Sequence, residues 1–121
     1  MDKLTPREED IMLILWQLKK AFVNDIIDEL PEPKPHYNTI STLVRKMEDK
    51  GFVGHKSYGK THQYFPLISE EQHKTGFMQT TVKHYFDNSY KNLVTFFAKK
   101  EKISAEELKE ILDIIENQSK S

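Results

Sequence analysis

Residues 36–50, HYNTISTLVRKMEDK, constrain this chain more than any other stretch. Ile40, Leu43, Val44 and Met47 recur at i, i+3, i+4, i+7, the spacing of one α-helical face. Gly51 comes next, where a helix end accepts a positive φ. Upstream, Pro31, Pro33 and Pro35 forbid helix and favour an extended approach. The face opposite the apolar one carries Asn38, Thr42, Arg45 and Lys46, flanked by Thr39 and Ser41. A solvated helix face ordinarily mixes Glu with Lys. Here amide, hydroxyl and cationic groups fill it, and the acids, Glu48 and Asp49, come only in the last turn. Such groups hydrogen-bond base edges and phosphates in a major groove; the plain alternative is a solvent face.

The segment after the helix favours the groove. In FVGHKSYGKTHQYFPL, Phe52, Val53, Tyr64 and Phe65 are strand formers, and Ser57-Tyr58-Gly59-Lys60 is turn chemistry. The pattern predicts a β-hairpin with strands near 52–57 and 61–66. Its tip is basic: Lys56, Lys60, His55 and His62 lie there with no acid between Asp49 and Glu70. A helix with a polar outward face, succeeded at once by a basic hairpin, is the layout of a winged helix-turn-helix. In that layout the helix enters the major groove and the wing rests on phosphate or in the minor groove. The candidate DNA contacts are Asn38, Thr39, Ser41, Thr42, Arg45 and Lys46 on the helix, with Lys56 and Lys60 on the hairpin.

The net charge of −1 argues against a nucleic-acid binder, but its distribution argues for one. Residues 1–33 hold four basic and eight acidic side chains, residues 34–64 six and two, and residues 65–121 eight and nine. The positive charge is thus concentrated in the helix and hairpin, as an electrostatic footprint requires. The start, MDKLTPREED, has no apolar signal region, and no apolar run approaches a membrane span. The absence of cysteine fits a cytoplasmic location and excludes disulfides, Cys-based zinc sites and thiol catalysis.

Before the central helix, Thr5, Pro6 and Glu8 make a capping box that opens a first helix with Ile11, Met12, Leu15, Trp16 and Leu18 on its apolar face. Trp16 reads as a core anchor. A short second helix, DIIDEL, has Asn24 as its candidate cap and turns Ile26, Ile27 and Leu30 inward. After the hairpin, Ser69 with Gln72 and Ser104 with Glu107 are two further capping boxes. They predict a helix over 70–87, a break near Asp87-Asn88-Ser89, a continuation from Tyr90 through Phe97, and a last helix with Leu108, Ile111, Leu112, Ile114 and Ile115. The fold class is therefore mainly α with a small β-hairpin wing: a winged-helix domain over 1–68 and a helical region over 69–121.

Amphipathic helices without an evident core of their own bury their stripes against a partner. The expected partner is a second copy, with Leu93, Phe97, Leu108, Ile111, Leu112 and Ile115 at the dimer contact; the alternative is folding back on the same chain. No Gly-rich phosphate loop or nucleophile motif is present, so an enzyme is not expected, nor a cofactor. His36, His55, His62, His73 and His84 lack metal-ligand spacing, although His55 and His62 could face each other across the hairpin.

The segments LTPREEDIMLILW, NTISTLVRKMEDKGFVGHK, QYFPLISEE and NLVTFFAKKEKISAEELKEILDII together resemble the penicillinase-repressor (BlaI/MecI-type) family of bacterial winged-helix transcription regulators. The similarity covers nearly the whole chain in order. It implies a homodimeric repressor on dyad operators, and places the family's DNA-facing positions on Asn38, Thr39, Ser41, Thr42 and Lys46, with Tyr64 at the aromatic of the second wing strand. This chain has Asn38 where relatives often carry a basic residue, Ser41 in place of a common arginine, and His36-Tyr37 in place of a Ser-Pro helix start. One branch of the family senses copper through paired cysteines, which are absent here. In another, a membrane sensor and protease system relieves repression by cutting at an Asn-Phe pair, which falls on Phe96-Phe97 in this chain. Two alternatives stay open: a winged helix that docks protein rather than DNA, and a regulator with a small-molecule cavity among Phe77, Tyr85, Tyr90 and Phe97.

Overall fold

The computed structural model describes residues 3–119. Its element order is α1 (Pro6–Leu18), α2 (Val23–Glu29), α3 (Tyr37–Asp49), β1 (Val53–Tyr58), β2 (Thr61–Pro66), α4 (Glu70–Tyr85), α5 (Tyr90–Lys99) and α6 (Ala105–Ser119). The chain falls into two compact units, one up to Lys74 and one from Thr75 onward.

In the first unit, α1 starts on the expected capping box. The Thr5 hydroxyl accepts from the Glu8 N–H at 3.3 Å, and the Glu8 carboxylate accepts from the Thr5 N–H at 2.8 Å. The second helix starts earlier than expected. Asn24 lies inside its first turn, and the free N–H of Phe22 is satisfied instead by Asp25 Oδ2 at 2.9 Å. An acid at the third helical position reaching back does the work assigned to a capping amide. Helix α3 has His36 as N-cap, with Nδ1 accepting from the Asn38 N–H at 3.2 Å. It ends in a Schellman motif: Phe52 N–H bonds Met47 C=O at 3.0 Å, Gly51 N–H bonds Glu48 C=O at 2.9 Å, and Gly51 takes φ of +88°. Phe52 is used to close the helix, so β1 begins one residue later than the sequence pattern suggested.

The hairpin pairs Val53 with Pro66 through Tyr58 with Thr61 and turns on two residues, Gly59 and Lys60. Gly59 has φ of +63° at the first of these positions, where a tight hairpin turn of the II′ kind requires glycine. A backbone bridge pairs Ala21 with Tyr64 in both directions, at 2.9 and 2.8 Å, and fastens the α1–α2 connection to β2. The core of this unit joins Ile11, Met12 and Leu15 of α1, Ile26 of α2, Ile40, Val44 and Met47 of α3, and Val53 and Tyr64 of the hairpin, all 2% exposed or less. Full burial of each aliphatic side chain contributes about 1.5–3 kcal/mol. Trp16 is the anchor expected of it: partly buried against this core, it donates its indole N–H to Ile68 C=O at 3.0 Å. At the start of α4, His73 packs on Trp16 and Phe52 and meets Glu9 at 3.1 Å.

In the second unit, α4 stops at Tyr85, two residues short of the sequence expectation. Asp87 and Asn88 adopt left-handed φ values of +53° and +59°, which end the helix before Ser89 caps α5. Ser104 and Glu107 form their capping box at 3.0 Å each way. Val82 is the buried residue here among those described, while Phe77, Tyr85, Phe96, Leu112 and Ile114 stand exposed. Phe86, Phe96 and Phe97 stack edge to face. Phe77, Tyr85, Tyr90 and Phe97, the aromatic set considered for a ligand cavity, are each at least 39% exposed. No helix among the described residues is long and apolar enough to cross a membrane.

Candidate nucleic-acid interface

The surface of α3 is set by which of its residues are buried. With Ile40, Val44 and Met47 inward, Asn38, Thr42 and Arg45 fall on the opposite side and are exposed. Thr39 and Lys46 are also exposed, to one side of that row, and Ser41 is half-buried on the other. Lys56 and Lys60 are exposed on the hairpin, Lys56 with its ammonium 5.4 Å from the Tyr58 ring. All eight candidate contacts are thus on the first unit and reachable from solvent.

The orientation of α3 is fixed at its C-terminal end and along one side. At its C-terminus, Lys50 donates to Glu8 Oε1 at 2.8 Å and to Lys3 C=O at 3.0 Å, tying the helix end to the start of α1. Glu8 is 1% exposed and its Oε2 has no hydrogen-bond partner among the described residues. Burial pushes the Glu8 carboxyl up, but the Lys50 bond, the donors of Thr5 and the Lys50 charge outweigh it and hold the group below the usual carboxylate range. Along the wing side, Tyr64 is 2% exposed beside Glu48, Arg45 and Tyr37. Burial raises the Tyr64 phenol above its ordinary value and Glu48 adds to that, while the nearby Arg45 guanidinium works against it. Arg45 is therefore exposed and lies beside the wing.

Sequence reasoning missed this seam. Tyr37, nearly half exposed in the first turn of α3, stands beside the candidate contacts. Glu48, which the sequence marks only as an acid of the last turn, accepts from His55 Nδ1 at 2.7 Å. His55 in turn stacks on His62 with ring centroids 4.1 Å apart and planes 9° from parallel. The hint that the two histidines could meet was in their spacing about Gly59; the link to Glu48 had no sequence signal.

Of the residues considered for dimer contact, Leu93 and Leu108 are half-buried, and Phe97, Ile111, Leu112 and Ile115 are exposed. Phe96 and Phe97, the candidate cleavage pair, lie within α5 in helical backbone.

Known proteins resemble this chain along most of its length. A family model described as penicillinase repressor matches residues 4–117. The methicillin resistance regulatory protein MecI of Staphylococcus aureus is 30% identical over 114 residues, covering 93% of each chain. A penicillinase repressor of Staphylococcus aureus is 28% identical over 119 residues, covering 98% of this chain and 94% of that protein. The penicillinase repressor of Bacillus licheniformis is 23% identical over 115 residues, covering 94% and 90%. A solved structure described as a CopR repressor aligns with a TM-score of 0.46 at 25% identity, covering 56% of this chain and 100% of its own. A match that runs from the capped first helix through α3, the hairpin and the three later helices means that the chain belongs to the penicillinase repressor family of DNA-binding transcriptional repressors.

Proposed function

We propose that this DNA-binding transcriptional repressor acts as a homodimer on paired operator half-sites, with α3 in the major groove and the hairpin on the flanking backbone. The observation that carries the reading is the exposed row Asn38, Thr42 and Arg45, with Thr39, Ser41 and Lys46 beside it, on a helix held by Glu8, Lys50 and Tyr64. Amide and hydroxyl groups there suit base edges; Lys46, Lys56 and Lys60 suit phosphates. The exposed stripes of α5 and α6 supply the dimer contact, so that two copies of α3 sit about 34–36 Å apart, one turn of DNA.

The names of the relatives point to antibiotic-resistance control, and we extend that role to this chain. Release in this reading comes from a cut at Phe96-Phe97, made by a protease under a membrane sensor. Cutting there separates α6 from the rest, and each remaining winged helix then binds a half-site alone, without the gain of linked binding. Immunoblots of native cells before and after β-lactam exposure test this step; a full-length protein that persists while its target genes switch on rejects it.

Binding itself is tested by anisotropy titration of Arg45→Ala and Lys60→Ala on the protected DNA upstream of the protein's own gene. Lys60→Ala should weaken all sequences alike and lower the salt slope by about one unit. Arg45→Ala should lose about 1–3 kcal/mol of discrimination at one base pair if it reads an edge. Unchanged affinity in both variants rejects the groove assignment and favours a protein-docking winged helix.

A further inference from the structure

The proposed DNA contacts leave one polar chain unused. It runs from Glu48 near the end of α3, through His55 of β1, to His62 of β2. Both Glu48 oxygens lie within 2.9 Å of His55 Nδ1, so that nitrogen carries a hydrogen and points at the carboxylate. His62 lies flat on His55 and lines an open cleft with Tyr37 at the head of α3, Thr61 of the wing, and Asn24 and Asp25 of α2. Imidazole is the side chain whose charge changes near neutral pH.

We infer that His62 is a further DNA-backbone contact, charged by a proton taken up from solvent when the duplex binds. This rests on the DNA-binding reading above. Glu48 sits against His55 Nδ1 on the α3 side. His62 stacks on the other side of that ring, parallel and 4.1 Å away, so that positive charge on both rings would repel at close range. The groups facing the pair divide. Glu48 from α3 and Asp25 from α2 favour positive charge; Arg45 from α3 opposes it; Tyr37 and Tyr64 are neutral phenols. A phosphate beside His62 adds negative charge on the open side and favours a proton on His62. Binding and protonation are thereby linked: affinity rises as pH falls through the imidazole range, by up to about tenfold per pH unit for one proton taken up.

The test is anisotropy titration of the full chain with a random-sequence labelled duplex at low salt, between about pH 8 and pH 6. Wild type should bind several-fold more tightly at the acid end, with a salt slope steeper by up to about one unit. His62→Gln should bind with the weak, alkaline affinity throughout, and Glu48→Gln should reduce the acid gain. His84→Gln, exposed on α4, should behave as wild type. Circular dichroism melts confirm that each variant is folded. A His62→Gln profile that still rises with acid overturns the assignment while leaving DNA binding intact. Absence of duplex binding by wild type at every pH overturns both.

Discussion

Replacing Lys50 by methionine removes the cation paired with Glu8 and leaves a buried carboxylate behind. Breaking a buried pair from one side costs about 3–5 kcal/mol, whereas a surface pair is worth about 0–1 kcal/mol. The Lys50 side chain is 20% exposed and that of Glu8 1%, so the pair lies nearer the buried limit. The Thr5 N–H still bonds the carboxylate in the variant, which moderates the loss. Lys50→Met should therefore destabilise the first unit by about 2–3 kcal/mol at neutral pH. The pH dependence identifies the cause. The folded pKa of Glu8 lies below its ordinary value, so its contribution is present above the unfolded pKa and is lost as pH falls through the folded one. Wild type should lose stability on acidification below about pH 4.3, the unfolded value, while the variant, left with the Thr5 donors alone, has less to lose. The gap between them narrows toward acid. Urea melts read by the fluorescence of Trp16, the sole tryptophan and a member of the same unit, measure this directly. A gap that is equal at neutral pH and at about pH 4 would mean that the Thr5 cap alone holds Glu8, and would refute the ion pair as the clamp on α3.

Gly51→Ala meets no atom within 4 Å, so its cost is the left-handed backbone alone, about 1–2 kcal/mol in thermal melts. Trp16→Phe keeps an aromatic ring but loses the bond to Ile68 C=O, and should lower stability by at least about 0.5–1.5 kcal/mol by circular dichroism. Leu112→Asp places a charge in the exposed stripe of α6; sedimentation should show monomers, and a variant that still dimerises would move the contact elsewhere. Truncation after Lys102 should have the same outcome, with DNA affinity sharply reduced.

The legible parts of the first unit were those set by local chemistry. Thr5-Pro6-Glu8, the apolar spacing of Ile40, Val44 and Met47, and Gly51 each specify a cap, a face or an end within a few residues. The hairpin was legible as an element but not in register. Strands ending at 57 and starting at 61 would leave three residues between them. The chain uses two, Gly59 and Lys60, and that difference pairs His55 with Tyr64 and Ser57 with His62, bringing both histidines to one face. What escaped altogether was contact between distant segments: Lys50 with Glu8, Ala21 with Tyr64, His73 with Glu9 and Trp16. Each pairs residues whose own sequence neighbourhoods carry no sign of the partner.

Beyond the hairpin, α4 and α6 were legible from Ser69 and Ser104, because a capping hydroxyl announces a helix wherever the helix later packs; Ser89, read only as part of a break, caps α5. The partner was not legible, because an apolar stripe specifies a need for burial and not its source. Magnitudes narrow the choice of surface. A side chain already about half covered gains only about 1 kcal/mol from full burial. Phe96, Ile111, Leu112 and Ile114, each near half exposed, would together give about 8 kcal/mol across two copies. Association costs about 4–15 kcal/mol in lost freedom, so that set alone is marginal. In the dimer proposed above, Phe97, Ile115 and the α4 residues Phe77 and Tyr85, all exposed, would have to add to that contact. A proposed interface spread in this way over three helices is one that the proposed cut within α5 would dismantle.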